Sequence, residues 1–225
     1  MLLGDEPEQK TPGAQVGAAH YTEGYDALYR WISYWYQLRE VRRLGPQSIL
    51  EIGIGRGMVS RELALDGVAV TTLDFDARLG PDVCGDVRRL PFAPKKFDIV
   101  LCAQVLEHLS FDEFPALLDE IRRVSRRYAV ITLPCSRAGL FFVPTFLGTA
   151  TAPRLAVRLP MPNWLGKLFF KQHEWEIGRF RFPLRTVRRA VRSIGWRIVR
   201  EVQPLLNTYH YFFVLEKQGS EEEDV

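Results

Sequence analysis

Glu51, Gly53, Gly55 and Gly57 alternate along "LEIGIGRGM", directly behind the apolar run that ends at Ile52. A strand that runs into a glycine-rich turn and then a helix brings thin backbone and unpaired amides up to a ligand. A dinucleotide fingerprint, GxGxxG, needs a third glycine for close helix packing, and counting from Gly53 that place is held by Met58. A carboxylate at the strand end repels a pyrophosphate and suits a cation, so Glu51 argues for a positively charged ligand. Two further groups carry acid–base chemistry: Glu107 and His108 in "VLEHL", and His173 and Glu174 beside Trp175 in "HEWEIG". An imidazole next to a carboxylate can take a proton from a weak nucleophile, which makes His108, His173 and Glu174 the candidate catalytic residues. The hypothesis for the second group is that His173, Glu174 and Trp175 fold over the mouth of the ligand site.

Elements that hold these groups follow from hydrophobic period and punctuation. Strand signals at Ser48–Ile52, Val68–Leu73, Asp82–Cys84, Phe97–Cys102 and Tyr128–Pro134 alternate with helical ones at Gly57–Asp66 and from Ser110 to about Ser125. That rhythm implies a parallel sheet with crossover helices. Ser110 and Glu113 have capping-box spacing. The stretch "DARLGPDVCGD", Asp76 to Asp86, leaves too few residues for a helix between the second and third strands, so that edge of the sheet should be trimmed. Between Cys135 and Phe182 the rhythm is lost for 48 residues of apolar, aromatic and basic sequence, long enough to be functional. A helix from Pro183 to Gly195 and the strands "WRIVREV" and "YHYFFVLEK" close the pattern. Ahead of it all, Thr22–Leu44 reads as a helix with aromatic residues on two faces, both expected to be covered.

The chain has 225 residues, of which 47% are hydrophobic and 25% charged, enough for one full core. The expected organisation is a flexible 1–19, a single domain over 20–217 in which 136–182 covers the substrate, and an acidic tail at 218–225. No run reaches the roughly 18 uncharged residues of a spanning helix, and no basic-then-apolar leader is visible, so a cytoplasmic protein is expected. Cys84, Cys102 and Cys135 lack CxxC spacing and read as reduced core thiols; no metal site is expected. The net charge of +3 conceals a bias: Ile121 to Arg200 holds 17 Lys or Arg against Glu174 and Glu176 alone.

Four stretches in order resemble the class I S-adenosylmethionine-dependent methyltransferases of the small-molecule type: "LEIGIGRG", "VAVTTLDFD", "CGDVRRLPF" and "FDIVLCAQVLEHL". The resemblance covers roughly Ile49 to Pro134. It implies a doubly wound, Rossmann-like α/β sheet of seven strands in the order 3-2-1-4-5-7-6, the last strand antiparallel, with a helical or irregular insertion after strand 5. It also implies that S-adenosyl-L-methionine is the cofactor. Asp74 would then grip both ribose hydroxyls, a role that two good acceptors explain, and Phe75 would line the adenine. Asp86 would accept from the adenine amine while Val87 offers its backbone amide. Glu51, Gly53, Gly55 and Gly57 would form the cradle, with Gln104 near the methionine end.

The implied function is methyl transfer to oxygen or nitrogen of a small-molecule, sugar- or lipid-linked acceptor. A non-catalytic cofactor-binding regulator and an RNA methyltransferase are the alternatives. Arginines interleaved with Phe, Leu and Pro suit an anionic acceptor or peripheral contact with an anionic membrane better than nucleic acid.

Overall fold

The computed structural model describes residues 25, 27–136, 139–142, 157–160, 173–179 and 181–219. The expectations for 1–19, for most of 136–172 and for 220–225 lie outside these residues.

Helix α1 (Leu28–Leu44) precedes strand β1 (Ser48–Ile52), α2 (Met58–Leu65), β2 (Ala69–Asp74), β3 (Val83–Cys84), β4 (Phe97–Ala103), α3 (Phe114–Val124) and β5 (Ser125–Pro134). A hairpin of β6 (Gly139–Phe142) and β7 (Val157–Pro160) follows, then α4 (Leu184–Ser193), β8 (Trp196–Val202) and β9 (His210–Lys217). The main sheet has seven strands in the order β3-β2-β1-β4-β5-β9-β8. Neighbours are parallel from β3 to β5, and β9 runs antiparallel to both β5 and β8. The order is therefore 3-2-1-4-5-7-6 when the sheet's own strands are counted. Part of the expected irregular insertion is the β6–β7 hairpin, a separate two-stranded sheet.

Alternation along the central strands builds two cores. Leu50 and Ile52 of β1 face one way with Val100, α3 and α4, whereas Ile49 faces the other with Ile99, Leu101, Val130, Val41 of α1 and Val59 and Leu63 of α2. Burial on both faces is what a central parallel strand requires. The edge between β2 and β3 carries only a 3-10 turn at Ala77–Leu79, as its short sequence demands. Because β1 pairs with β2 on one side and β4 on the other, chain direction across the sheet reverses there, and the crevice beyond their carboxyl ends is where ligands of such sheets bind.

Three local expectations are corrected. Ser110 and Glu113 form no capping box: the Ser110 hydroxyl accepts from the Asp112 amide, and Glu113 pairs with Arg88 instead. Cys102 and Cys135 are buried free thiols, but Cys84 is exposed at the sheet edge. Helix α1 is not covered on both aromatic faces: Trp31 and Trp35 are 48% and 55% exposed. Its buried stripe is Ser33, Gln37, Glu40 and Val41. That stripe is mostly polar because each group has a partner. Gln37 donates to Ser33, Ser33 bonds His210 on β9, and Glu40 takes Arg39, Arg43 and Arg200.

The charge bias is resolved by the topology. Arg123 pairs with Glu120, Arg126 with Asp98, Arg127 and Arg197 with Glu216, and Arg188 with Glu201. In each pair the acid comes from outside the basic run or from its border. Arg185, Arg189 and Arg192 stay on the exposed face of α4.

Candidate active site

A cavity of about 680 Å³ opens at the carboxyl ends of β1 and β4 and is lined there by Glu51, Gly53, Gly55 and Gln104. The turn needs its glycines. Gly53 has φ +83°, and a Cβ on it would lie 2.4 Å from Val105 Cγ2, so the loops after β1 and β4 meet at a distance only glycine allows. Gln104 itself adopts φ +57°, a strained conformation for a side-chain-bearing residue. Its amide donates to the Thr132 carbonyl and its Nε2 to Thr132 Oγ1, which holds the strained backbone in place.

Glu51 is 3% exposed. Burial pushes its carboxyl up to about 8, against hydrogen bonds from Ser60 that favour the charge. Its Oε2 has no hydrogen-bond partner among the described residues. A buried carboxyl oxygen without a donor is costly, and a bound cation would relieve it. Asp74 stands at the end of β2, its two oxygens accepting from the Ile54 and Asp76 amides at 3.0 and 2.9 Å. The first of these bonds ties the glycine turn to the carboxylate, and each oxygen keeps acceptor capacity for a hydroxyl. Burial raises its pKa, with opposition from those backbone donors.

Asp74 pairs in register with Cys84, which brings Asp86 and Val87 to the same edge. Phe75 is 37% exposed there. Asp74, Phe75, Asp86, Val87 and Gly57 do not line the cavity itself but continue outward from it over the β2–β3 edge. The Asp86 carboxylate is held by the Arg88 amide and guanidinium at 2.8 and 3.0 Å, so an adenine amine would share it with Arg88. Val87 is buried in the core and has only backbone to offer.

At the opposite wall, His173 lies against His108 with ring centroids 4.9 Å apart, and both line the cavity. The distance in sequence is bridged by backbone bonds. The Glu174 amide donates to the Glu107 carbonyl, the Ile177 amide donates to the Pro134 carbonyl at the end of β5, and the Ser136 amide donates to the Ile177 carbonyl. Two residues of this segment differ from expectation. Trp175 is fully buried among Phe111, Phe114 and Phe182 and anchors the segment in the core instead of closing the mouth. Glu174 is exposed at a bend and outside the cavity, whereas the next three residues, Trp175, Glu176 and Ile177, are all buried.

The carboxylate in reach is Glu176. Its Oε1 takes His173 Nδ1 at 2.9 Å, Tyr209 Oη at 3.0 Å and Arg179 at 3.0 Å. Burial pushes its pKa up, but His173, Arg179 and Tyr209 outweigh that and hold it below the usual carboxylate range. Glu107 is fully buried with both oxygens lacking a partner among the described residues; burial, with the Glu176 charge adding to it, drives its carboxyl up to about 8. Tyr209, Arg30 and His210 also line this wall. Burial keeps His210 neutral, lowered to about 3. These residues carry no motif spacing. The aromatic α1 and the "TYHYFF" strand were their only signal.

A family model described as a methyltransferase domain matches residues 50–132. Over that stretch the chain is similar to S-adenosylmethionine-dependent methyltransferases. Demethylmenaquinone methyltransferase of Beutenbergia cavernae is 38% identical over 92 residues, covering 36% of this chain and 37% of that protein. The enzyme of the same name from Mycobacterium tuberculosis is 33% identical over 103 residues, covering 41% and 43%. The chain thus spans about two fifths of the length of the curated relatives it matches. In fold, magnesium protoporphyrin IX methyltransferase from Synechocystis superposes with TM-score 0.61 at 15% identity over 88% of this chain and 91% of that one. The 1,6-didemethyltoxoflavin-N1-methyltransferase of Burkholderia thailandensis does so with 0.58 at 18% identity, over 88% and 84%. Both structures hold the demethylated cofactor, S-adenosylhomocysteine. The orphaned oxygen of Glu51, the free acceptor capacity of Asp74 and the glycine turn fit such a nucleoside bearing a cationic amino acid.

Two outcomes follow from this geometry. Between 4.5, the ordinary value, and about 8, the unfolded chain has released the Glu51 proton and the folded chain retains it, so stability falls as pH rises through that window and levels above it. A cationic ligand that needs the carboxylate must expel the same proton. Titration calorimetry with S-adenosylmethionine should show Kd falling by up to about tenfold per pH unit below the folded pKa, with a weaker dependence in Glu51→Gln. Gly53→Ala should cost roughly 2–4 kcal/mol by denaturant unfolding, from overpacking plus backbone strain, and should weaken cofactor binding.

Proposed function

We propose that the chain transfers a methyl group from S-adenosylmethionine to oxygen or nitrogen of a small, lipid-linked acceptor. The observation that carries this reading is the continuity of one cavity: the glycine turn of the donor side and the imidazole wall formed by His108 and His173 line the same space. When bound, the cofactor supplies an electrophilic methyl group on a sulfonium, and displacement there needs an in-line nucleophile in a site shielded from water. The chain's own residues supply the alignment. Glu51 and the turn hold the donor end, while His108, His173 and Glu107 meet the nucleophilic end of the acceptor. Arg30, with its guanidinium stacked 3.8 Å from the Tyr25 ring centroid, offers positive charge to an acidic or carbonyl oxygen.

The lipid-linked part of the reading is supported by the rim. Tyr29 and Leu206 both line the cavity and are exposed, and Leu28, Trp31, Trp35 and Leu205 are exposed as well. Aromatic and leucine side chains in that setting suit the interface of a bilayer. The demethylmenaquinone methyltransferases that the domain resembles are in keeping with an acceptor of this kind.

The full chain incubated with methyl-labelled S-adenosylmethionine and cell extract should place label in the lipid or small-molecule fraction. Label confined to RNA overturns the proposal. So does tight cofactor binding with no label in any fraction, which would favour a non-catalytic binding protein. Sedimentation with anionic phosphatidylglycerol vesicles should drop several-fold in the Trp31→Ser/Trp35→Ser variant. If the unaltered chain ignores both anionic and neutral vesicles, membrane contact is ruled out and the acceptor must reach the site from solution.

A further inference from the structure

Three side chains of the imidazole wall, Glu107, His108 and His173, place potential ligand atoms within 4.8 Å of one another. We infer that they bind a divalent transition cation, with zinc or manganese as the chemical type. Two histidines and a carboxylate are a recurrent three-ligand set for such ions, and the open remainder of the coordination shell is left to water or substrate.

Three independent features support ligation over simple packing. Glu107 is fully buried, and neither of its oxygens has a hydrogen-bond partner among the described residues. Polar groups buried to that degree are normally paired with a donor or a cation. His173 is oriented as metal-bound histidines are. Its Nδ1 lies 2.9 Å from Glu176 Oε1 and 3.0 Å from Tyr209 Oη, and Tyr209 donates its own proton to Glu176. The Nδ1 side of the ring is thus engaged by Glu176 and Tyr209, and Nε2 is the nitrogen left to meet an ion. A carboxylate behind the imidazole is the usual support for a ligating histidine, because it fixes the tautomer and raises the basicity of the ligating nitrogen. Finally, the three residues are placed by rigid parts of the fold. Glu107 and His108 sit on a 3-10 turn directly after β4, and the backbone bond from the Glu174 amide to the Glu107 carbonyl, 3.1 Å long, holds the His173 segment against that turn. Ligands around one ion at about 2.1 Å stand about 3.4 Å apart, so the side chains need to draw in by about 1 Å.

The ion's role rests on the methyl-transfer reading, whereas its binding does not. The cavity that contains these three residues also contains the donor turn, so the ion's open positions would face the acceptor. A hydroxyl bound there loses its proton more readily. The proton passes to solvent, the oxygen lone pair forms the bond to the methyl carbon, and the carbon–sulfur bond electrons return to sulfur. Without an ion the wall is two edge-to-face imidazoles beside a buried carboxyl whose oxygens have no hydrogen-bond partner among the described residues.

The test reads metal uptake in the full chain with no acceptor present. After chelator treatment and desalting, cobalt(II) serves as the spectroscopic probe, zinc and manganese as competitors, and magnesium and calcium as hard-cation controls. One cobalt per chain should bind with a visible absorption band, and zinc should displace it. Glu107→Gln, His108→Ala and His173→Gln should each weaken uptake at least tenfold. Glu176→Gln, which touches only His173 among the three ligands, should weaken it about 10- to 100-fold. S-adenosylhomocysteine titration verifies that each variant is folded. Absence of stoichiometric uptake by the unaltered chain overturns the inference, as does uptake that survives all three ligand substitutions. Metal uptake without methyl transfer would sink the proposed function and leave the ion site standing, and methyl transfer indifferent to chelation would overturn the ion's role in the reaction while leaving the proposed function standing.

Discussion

One carboxylate oxygen organises the imidazole wall of the cavity. Glu176 Oε1 collects His173, Arg179 and Tyr209, which come from the excursion after β5 and from the approach to β9. Burying a charge is tolerable only when it is fully compensated. Losing any of the three partners would leave a desolvated carboxylate, so the segments are bound to arrive together. His173 inherits its orientation from that arrangement. The wall it forms with His108 is a by-product of solving the burial problem of Glu176.

On the donor side the corresponding constraint is steric. Gly53 and Val105 are in a contact that leaves no room for a Cβ, and Gln104 accepts a left-handed backbone to keep the β4 exit beside the turn. Asp74 then clamps the turn through the Ile54 amide. The two halves differ in kind: the donor half is held by backbone geometry and the acceptor half by a charge network.

That difference explains what was legible in the sequence. Backbone-held features leave short, ordered signatures, and the turn at Gly53, the acid at Asp74, the trimmed β2–β3 edge and the strand order could all be read from spacing or from family resemblance. Charge networks are assembled across the fold and leave no local period. The imidazole of His173 was visible in "HEWEIG", but its partner is Glu176 instead of the adjacent Glu174, because the chain bends at Glu174 and brings the acid three residues on back to the ring. Trp175 looked like a lid residue and is a core anchor, because Phe111, Phe114 and Phe182 gather around it from distant parts of the chain. Helix α1 misled in another way. Its aromatic residues suggested burial, while Ser33, Gln37 and Glu40 went inside because His210 and the arginines could satisfy them.

The bond between the Glu174 amide and the Glu107 carbonyl has a consequence for how such chains diversify. It is a main-chain clasp, indifferent to side chains, and it joins the turn after β4 to the segment that carries His173. New residues can be tried around it without loosening the donor pocket. The described residues 173–179 are thereby moored to the β4 exit by a main-chain bond, whichever side chains they carry.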